Sequence, residues 1–96
     1  MSGQDYEQLI GHLESGNGWR RDTAQRLLVE RNEKGALPIL RETATASEHH
    51  LARQHALWTL EGMGGLAAPT IARALGDDHP RVRIAALRVT ESFTAA

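Results

Sequence analysis

Cysteine is absent from this chain, and disulfides, thiolate catalysis, covalent haem attachment and cysteine-ligated zinc are excluded with it. Aromatic residues are scarce, with Tyr6, Trp19, Trp58 and Phe93 forming the full set. A core with so few rings must be filled by Leu, Ile, Val and Ala, which suits closely packed helices. Neither sign of charge is in excess. Eleven basic and twelve acidic residues leave a net charge of −1, which argues against a strong nucleic-acid or anionic-membrane surface. No apolar run approaches the roughly 20 residues of a membrane span. The opening Met1-Ser2-Gly3-Gln4-Asp5 has neither the basic nor the apolar region of a signal peptide. The chain as given reads as soluble with no membrane insertion, and its compartment stays open.

Catalytic signatures are missing as well. There is no G-x-x-x-x-G-K or G-x-G-x-x-G loop to cradle a phosphate. Ser2, Ser15, Ser47 and Ser92 fall near expected helix termini or loops, and none sits in a G-x-S-x-G setting. The histidines His12, His49, His50, His55 and His79 include no pair at the i, i+3 or i, i+4 spacing of a helical metal site. His50 and His55 point to different sides of a helix, and most of the set is expected in solvent or near helix ends. No catalytic, cofactor-binding or metal-ligating residue is therefore expected, and the chain does not read as an enzyme.

What the chain has is a repeat. Leu9, Leu40 and Ile71 are spaced 31 and 31, as are Leu13, Ala44 and Leu75. Around them the apolar residues Tyr6, Leu9, Ile10 and Leu13, then Leu37, Leu40 and Ala44, then Ala68, Ile71, Ala72 and Leu75 fall at helical spacing, each stripe predicting one buried face. Pro38 and Pro69 stand near the segment starts, where a missing N–H costs nothing. A second family lies between: Arg21, Arg53 and Arg83 are spaced 32 and 30, and Ala24, Ala56 and Ala86 match them. Small Ala at a repeated position lets two helix axes approach closely. Leu27 and Leu28, Ala52 and Leu60, and Val82, Val89 and Phe93 continue these stripes.

Breakers separate the segments. Gly16-Asn17-Gly18, Asn32 to Gly35, Gly62-Met63-Gly64-Gly65 and Gly76-Asp77-Asp78 read as turns, with Asn17, Ser47 and Asp77 or Asp78 as N-caps. No segment alternates with period two. Helices are predicted near 5–14, 18–31, 36–46, 49–61, 67–75 and 80–93. They pair into hairpins over about 5–31, 36–61 and 67–93 of a single 1–96 domain. The predicted class is all-α, an α-α superhelix of about three hairpins and six helices. A short hairpin cannot bury its apolar face alone, so such units stack.

The string Asp78-His79-Pro80-Arg81-Val82-Arg83-Ile84-Ala85-Ala86-Leu87 resembles the first helix of a HEAT repeat, and the short period resembles the HEAT-like repeats of phycobilin-lyase-type proteins. The strings from Asn17 to Arg31 and from His55 to Gly64 resemble the HEAT region of large haem-binding, membrane-bound-dehydrogenase-like proteins of planctomycete-type bacteria. In those proteins the repeats lie between a propeller-like domain and a Cys-x-x-Cys-His cytochrome segment, neither of which is present here. The resemblance therefore implies a HEAT-like solenoid and an intervening helical module, periplasmic if it comes from such a parent, and transfers no haem-binding or catalytic residue.

The candidate partner-binding residues are Trp19, Arg20, Arg21, Arg53 and Arg83. The arginine column either binds an acidic partner or phosphate, or forms a structural ladder with acidic residues such as Asp22, Glu48, Asp77 or Asp78 of adjacent turns; charge balance favours the ladder. Trp19, at a helix start, is either a hydrophobic cap on the stack or a recognition residue, while Trp58 reads as filling inter-helix space. The leading function is a non-catalytic protein-interaction or spacer scaffold, alone or within a larger bacterial protein. Its partner is another protein or the neighbouring domains of a parent chain. The alternative is nucleic-acid binding through the Arg-bearing helices, which the near-neutral charge disfavours. Both terminal repeats look like interior ones, so uncovered apolar surface is expected at one or both ends. Leu9, Ile10 and Leu13 mark the first end and Val82, Val89 and Phe93 the last. Weak end-to-end self-association, or excision from a longer protein, follows.

Overall fold

Asn17 and Asn32 bracket the first long helix, and each end has a physical cause. Asn17 is extended, and its side-chain oxygen accepts the Arg20 N–H at 3.2 Å, capping a first-turn donor that has no intrahelical partner. Asn32 closes the helix in the left-handed region at φ 49°, which Asn tolerates better than most residues.

The computed structural model describes residues 4–94; the opening Met1-Ser2-Gly3 and the last two residues of the expected 1–96 domain lie outside them. The helices are α1 (Gln4–His12), α2 (Gly18–Arg31), α3 (Leu37–Ala46), α4 (His50–Met63), α5 (Ala68–Leu75) and α6 (Pro80–Thr94), with a 3-10 turn at Lys34–Ala36 leading into α3. No strand occurs among the described residues. Consecutive helices pair as α1/α2, α3/α4 and α5/α6, and the pairs stack so that α2, α4 and α6 form one layer and α1, α3 and α5 the other. The chain is an all-α stack of helical hairpins, the class its 31-residue period predicts.

The core runs unbroken through the three hairpins. Leu13, Leu40, Leu57, Leu60, Val82 and Val89 are fully buried, each large side chain contributing about 1.5–3 kcal/mol of transfer free energy. Ala24, Ala52, Ala56, Ala85 and Ala86 are buried with them. Their small side chains let α2, α4 and α6 lie close together.

Several details differ from the sequence reading. The helix α4 runs on through Gly62, which the glycine run had placed in a turn. A Cβ at Gly62 would lie 2.7 Å from Val29 Cγ2, so glycine stands there because α2 and α4 approach closely. The helix ends one residue later, where Gly64 takes φ 72° and the N–H of Gly65 bonds the Leu60 carbonyl at 2.9 Å while that of Gly64 bonds Glu61 at 3.2 Å, a Schellman closure. Ser47 and Asp77 are not N-caps: they lie two residues upstream of His49 and His79, and their side chains accept the N–H of those residues. In α5 the buried face is Thr70, Ile71 and Ala74, and Ala68, Ala72 and Leu75 are exposed. Among the described residues no hairpin packs on that side of α5 and α6. Ile10 and Leu13 of the first end and Val82 and Val89 of the last, expected at uncovered ends, are buried because each lies on the face its helix turns to the stack, while Ile84 and Leu87 are the exposed apolar residues of α6 together with Phe93.

Candidate functional site

The three turns that lead into α2, α4 and α6 are built alike. Ser15 Oγ accepts the Asn17 N–H at 3.1 Å, Ser47 Oγ the His49 N–H at 3.2 Å, and Asp77 Oδ1 the His79 N–H at 2.9 Å. Six residues further on, Arg21, Arg53 and Arg83 each donate from Nη1 to the carbonyl oxygens of Ser15, Ser47 and Asp77, at 2.8, 2.6 and 2.8 Å. Each guanidinium thus clamps the turn that starts its own helix, through a charge-assisted bond stronger than a neutral one. Arg53 does more: its Nε and Nη2 bond the two carboxylate oxygens of Asp77 at 2.9 and 3.0 Å.

The five candidate partner-binding residues do not converge. Arg21, Arg53 and Arg83 occupy equivalent places near the starts of α2, α4 and α6; Arg53 and Arg21 are partly buried and Arg83 is exposed. Trp19, 73% exposed, and Arg20 lie at the outer end of the stack. There they line a groove of about 430 Å³ with Leu9, His12, Thr23, Ala24 and Leu27.

A larger hollow lies elsewhere, on the outer surface of the α2–α4–α6 layer. This open depression of about 850 Å³ is lined by Asp22, Gln25, Arg26, Val29 and Glu30 of α2, Trp58, Glu61 and Gly62 of α4, and Ser92 of α6. Trp58 also borders a second hollow of about 220 Å³, with Gln54, Arg81, Ile84, Ala85 and Arg88. The indole is therefore the ridge shared by two depressions that together cross all three helices of the layer. Glu30 pairs with Arg26 at 3.5 Å on an exposed face, leaving the larger hollow predominantly acidic. Trp58 packs partly buried against the core, in keeping with its expected place between helices. From the sequence, Asp22 is named only as an acidic partner for the arginine column, and Gln25, Arg26, Val29 and Glu30 are not singled out. Their i, i+3, i+4, i+7 spacing marks one helical face and was the available signal.

His55 holds this floor in place. It is 6% exposed, although solvated positions were expected for most histidines. Its Nδ1–H donates to Gln25 Oε1 at 2.7 Å, joining α4 to α2. The Trp58 ring stands edge-on to it with centroids 5.2 Å apart. Burial lowers the His55 pKa below 6.5, with Arg21 adding to that and Asp22 opposing it, so the ring is neutral near pH 7. His50 and His79 stack at 3.7 Å where α4 and α6 begin, and the pKa of His50 is likewise lowered, by desolvation first and then by His79 and Arg53. Among the described residues no group of three His, Asp or Glu could hold a metal ion, and no helix is long and apolar enough to cross a membrane.

No curated protein and no solved structure matches the chain. Comparison with protein families finds HEAT repeats over residues 6–91, a span that reaches into all three hairpins and holds their three arginine-clamped turns. With its stacked hairpins, 31-residue period and repeated turn geometry, the chain belongs to the HEAT repeat family.

Proposed function

We propose that this chain is a non-catalytic scaffold that holds a protein partner against the outer surface of α2, α4 and α6. The observation that carries this reading is the pair of hollows sharing Trp58. A partly buried indole held by a buried neighbour and bordering two hollows suits an apolar anchor in an interface, and Asp22, Glu30 and Glu61 around it favour a basic segment. Stacked hairpins give an extended surface suited to such a role. Nucleic acid is the weaker partner: the large hollow is acidic, and one nitrogen of each column arginine is engaged by a turn carbonyl. Within a larger bacterial parent the same module would space neighbouring domains, the role implied by its resemblance to the haem-binding dehydrogenase-like proteins.

Affinity capture with crosslinking tests this. A partner held by the wild type crosslinks to α2 and α4, is lost from the charge-reversed variant Asp22→Arg/Glu61→Arg, and is retained by Arg20→Glu at the far end. Retention by the double variant ends the reading.

A further inference from the structure

Equivalent residues of successive hairpins are buried or exposed according to whether a neighbour follows. Leu13 and Ala44 are each 0% exposed, and their equivalent Leu75 is 38% exposed. Leu57 of α4 is 0% exposed, and its equivalent Leu87 in α6 is 60% exposed. The helices α4 and α6 have corresponding neighbours within the stack, except that among the described residues α4 has a hairpin on its far side and α6 has none. What covers Leu57 is therefore the next hairpin, and Leu75 and Leu87 form the face on which another would sit.

The opposite end carries the matching half. The stripe Val82, Ala85, Ala86 and Val89, by which α6 packs on its neighbours, corresponds to Ala52, His55, Ala56 and Thr59 in α4 and to Arg20, Thr23, Ala24 and Leu27 in α2. In α4 and α6 all of these are buried. In α2, before which no hairpin lies among the described residues, Arg20 is exposed, Thr23 and Leu27 are partly exposed and Ala24 is buried; the four line the open groove of about 430 Å³, with Leu9 from α1 and Trp19 at its rim. Leu9 is in turn the equivalent of the buried Leu40 and Ile71.

We infer that a second copy of this chain occupies this groove. Leu75 and Leu87 of one copy enter the groove of the next between Leu9 and Leu27, over the buried Ala24, continuing the stack in the register of its two internal junctions. The contact is heterologous, so it propagates instead of closing into a symmetric dimer. Arg20 stands where the internal junctions have Ala52 and Val82. A guanidinium at that place makes this junction weaker than the internal ones and the assembly reversible. The inference is independent of the Trp58 surface, whose two hollows share no residue with the groove and include neither Leu75 nor Leu87.

Sedimentation velocity on the full chain tests it from micromolar to millimolar protein. The wild type is expected to sediment faster as concentration rises, without a limiting dimer. Leu87→Glu and Trp19→Glu alter exposed side chains and keep the helical circular dichroism spectrum; each alone is a monomer. Mixed in equal amounts they form dimers and nothing larger, because one intact junction remains. Arg20→Ala moves association to several-fold lower concentration. A wild type that stays monomeric throughout overturns the proposal, as does a neighbouring domain of a longer parent found seated on Leu87. A Trp19→Glu variant that still dimerises through its own Leu87 face overturns it too.

Discussion

Arg53 and Asp77 join the second hairpin to the third: two guanidinium nitrogens meet two carboxylate oxygens at 2.9 and 3.0 Å across 24 residues of chain, with side chains only 12% and 9% exposed. The remaining terminal nitrogen of Arg53 is held by the Ser47 carbonyl at 2.6 Å. One side chain thus ties its own turn and the next turn together, which fixes the register of neighbouring hairpins.

Removing the carboxylate leaves a largely buried guanidinium short of partners. Asp77→Ala is expected to cost about 1.5–3 kcal/mol in urea unfolding, the range for bonds to charged groups. Burial alone would raise the Asp77 pKa, but the His79 N–H and the Arg53 guanidinium outweigh it and hold the pKa below 3.8. The folded state therefore releases this proton more readily than the unfolded chain. The contribution is complete above the ordinary aspartate value and is lost as pH falls through the lowered one. A variant as stable as the wild type at neutral pH would show that the pair does not tie the junction.

The first junction lacks this pair and suggests how to supply it. Ser47 holds the place of Asp77, and Arg21 Nε, the equivalent of the Arg53 nitrogen bonded to Asp77, is buried without a partner among the described residues. Ser47 Oγ instead donates to Glu14 Oε2 at 2.8 Å. With that carboxylate neutralised, Glu14→Gln/Ser47→Asp is expected to exceed Glu14→Gln alone by about 0.5–1.5 kcal/mol. Equal or lower stability would mean that the two junctions are not built alike.

Acid sensitivity should begin well above the carboxylate range. Burial lowers the pKa of His55 in the folded state, so below about pH 6.5 the unfolded chain takes up a proton that the folded protein resists. Stability is then lost as pH falls from the unfolded histidine value toward the lowered folded one. Urea midpoints measured between about pH 7 and about pH 5 should fall for the wild type and fall less for His55→Gln. Identical profiles would remove His55 as the cause.

Much of this fold was legible because helical repeats place equivalent residues at a fixed step. The columns through Leu9, Ala24 and Arg21 located every helix, since spacing alone carries that information. Extending them by a few positions also reaches the column Ser15, Ser47 and Asp77, whose 32 and 30 steps match the arginines. The bonds from each arginine to its own turn were not legible, because they depend on how the chain folds back before the helix. Nor was the burial of His55, whose Gln25 partner lies 30 residues earlier. The exposed side of α5 escaped because an apolar stripe reads the same whether or not a neighbour covers it. One column makes this plain: Ala44 is buried and its equivalent Leu75 is not.

The middle hairpin sits inside one continuous, closely packed seam, and Ala56 tests this most directly. Ala56 is 0% exposed and shares its column with the buried Ala24 and Ala86. Unfolding of Ala56→Leu in urea is predicted to show a loss of about 1–3 kcal/mol through overpacking. A change within about 0.5 kcal/mol of wild type, the range of an ordinary surface substitution, would contradict the stacked arrangement.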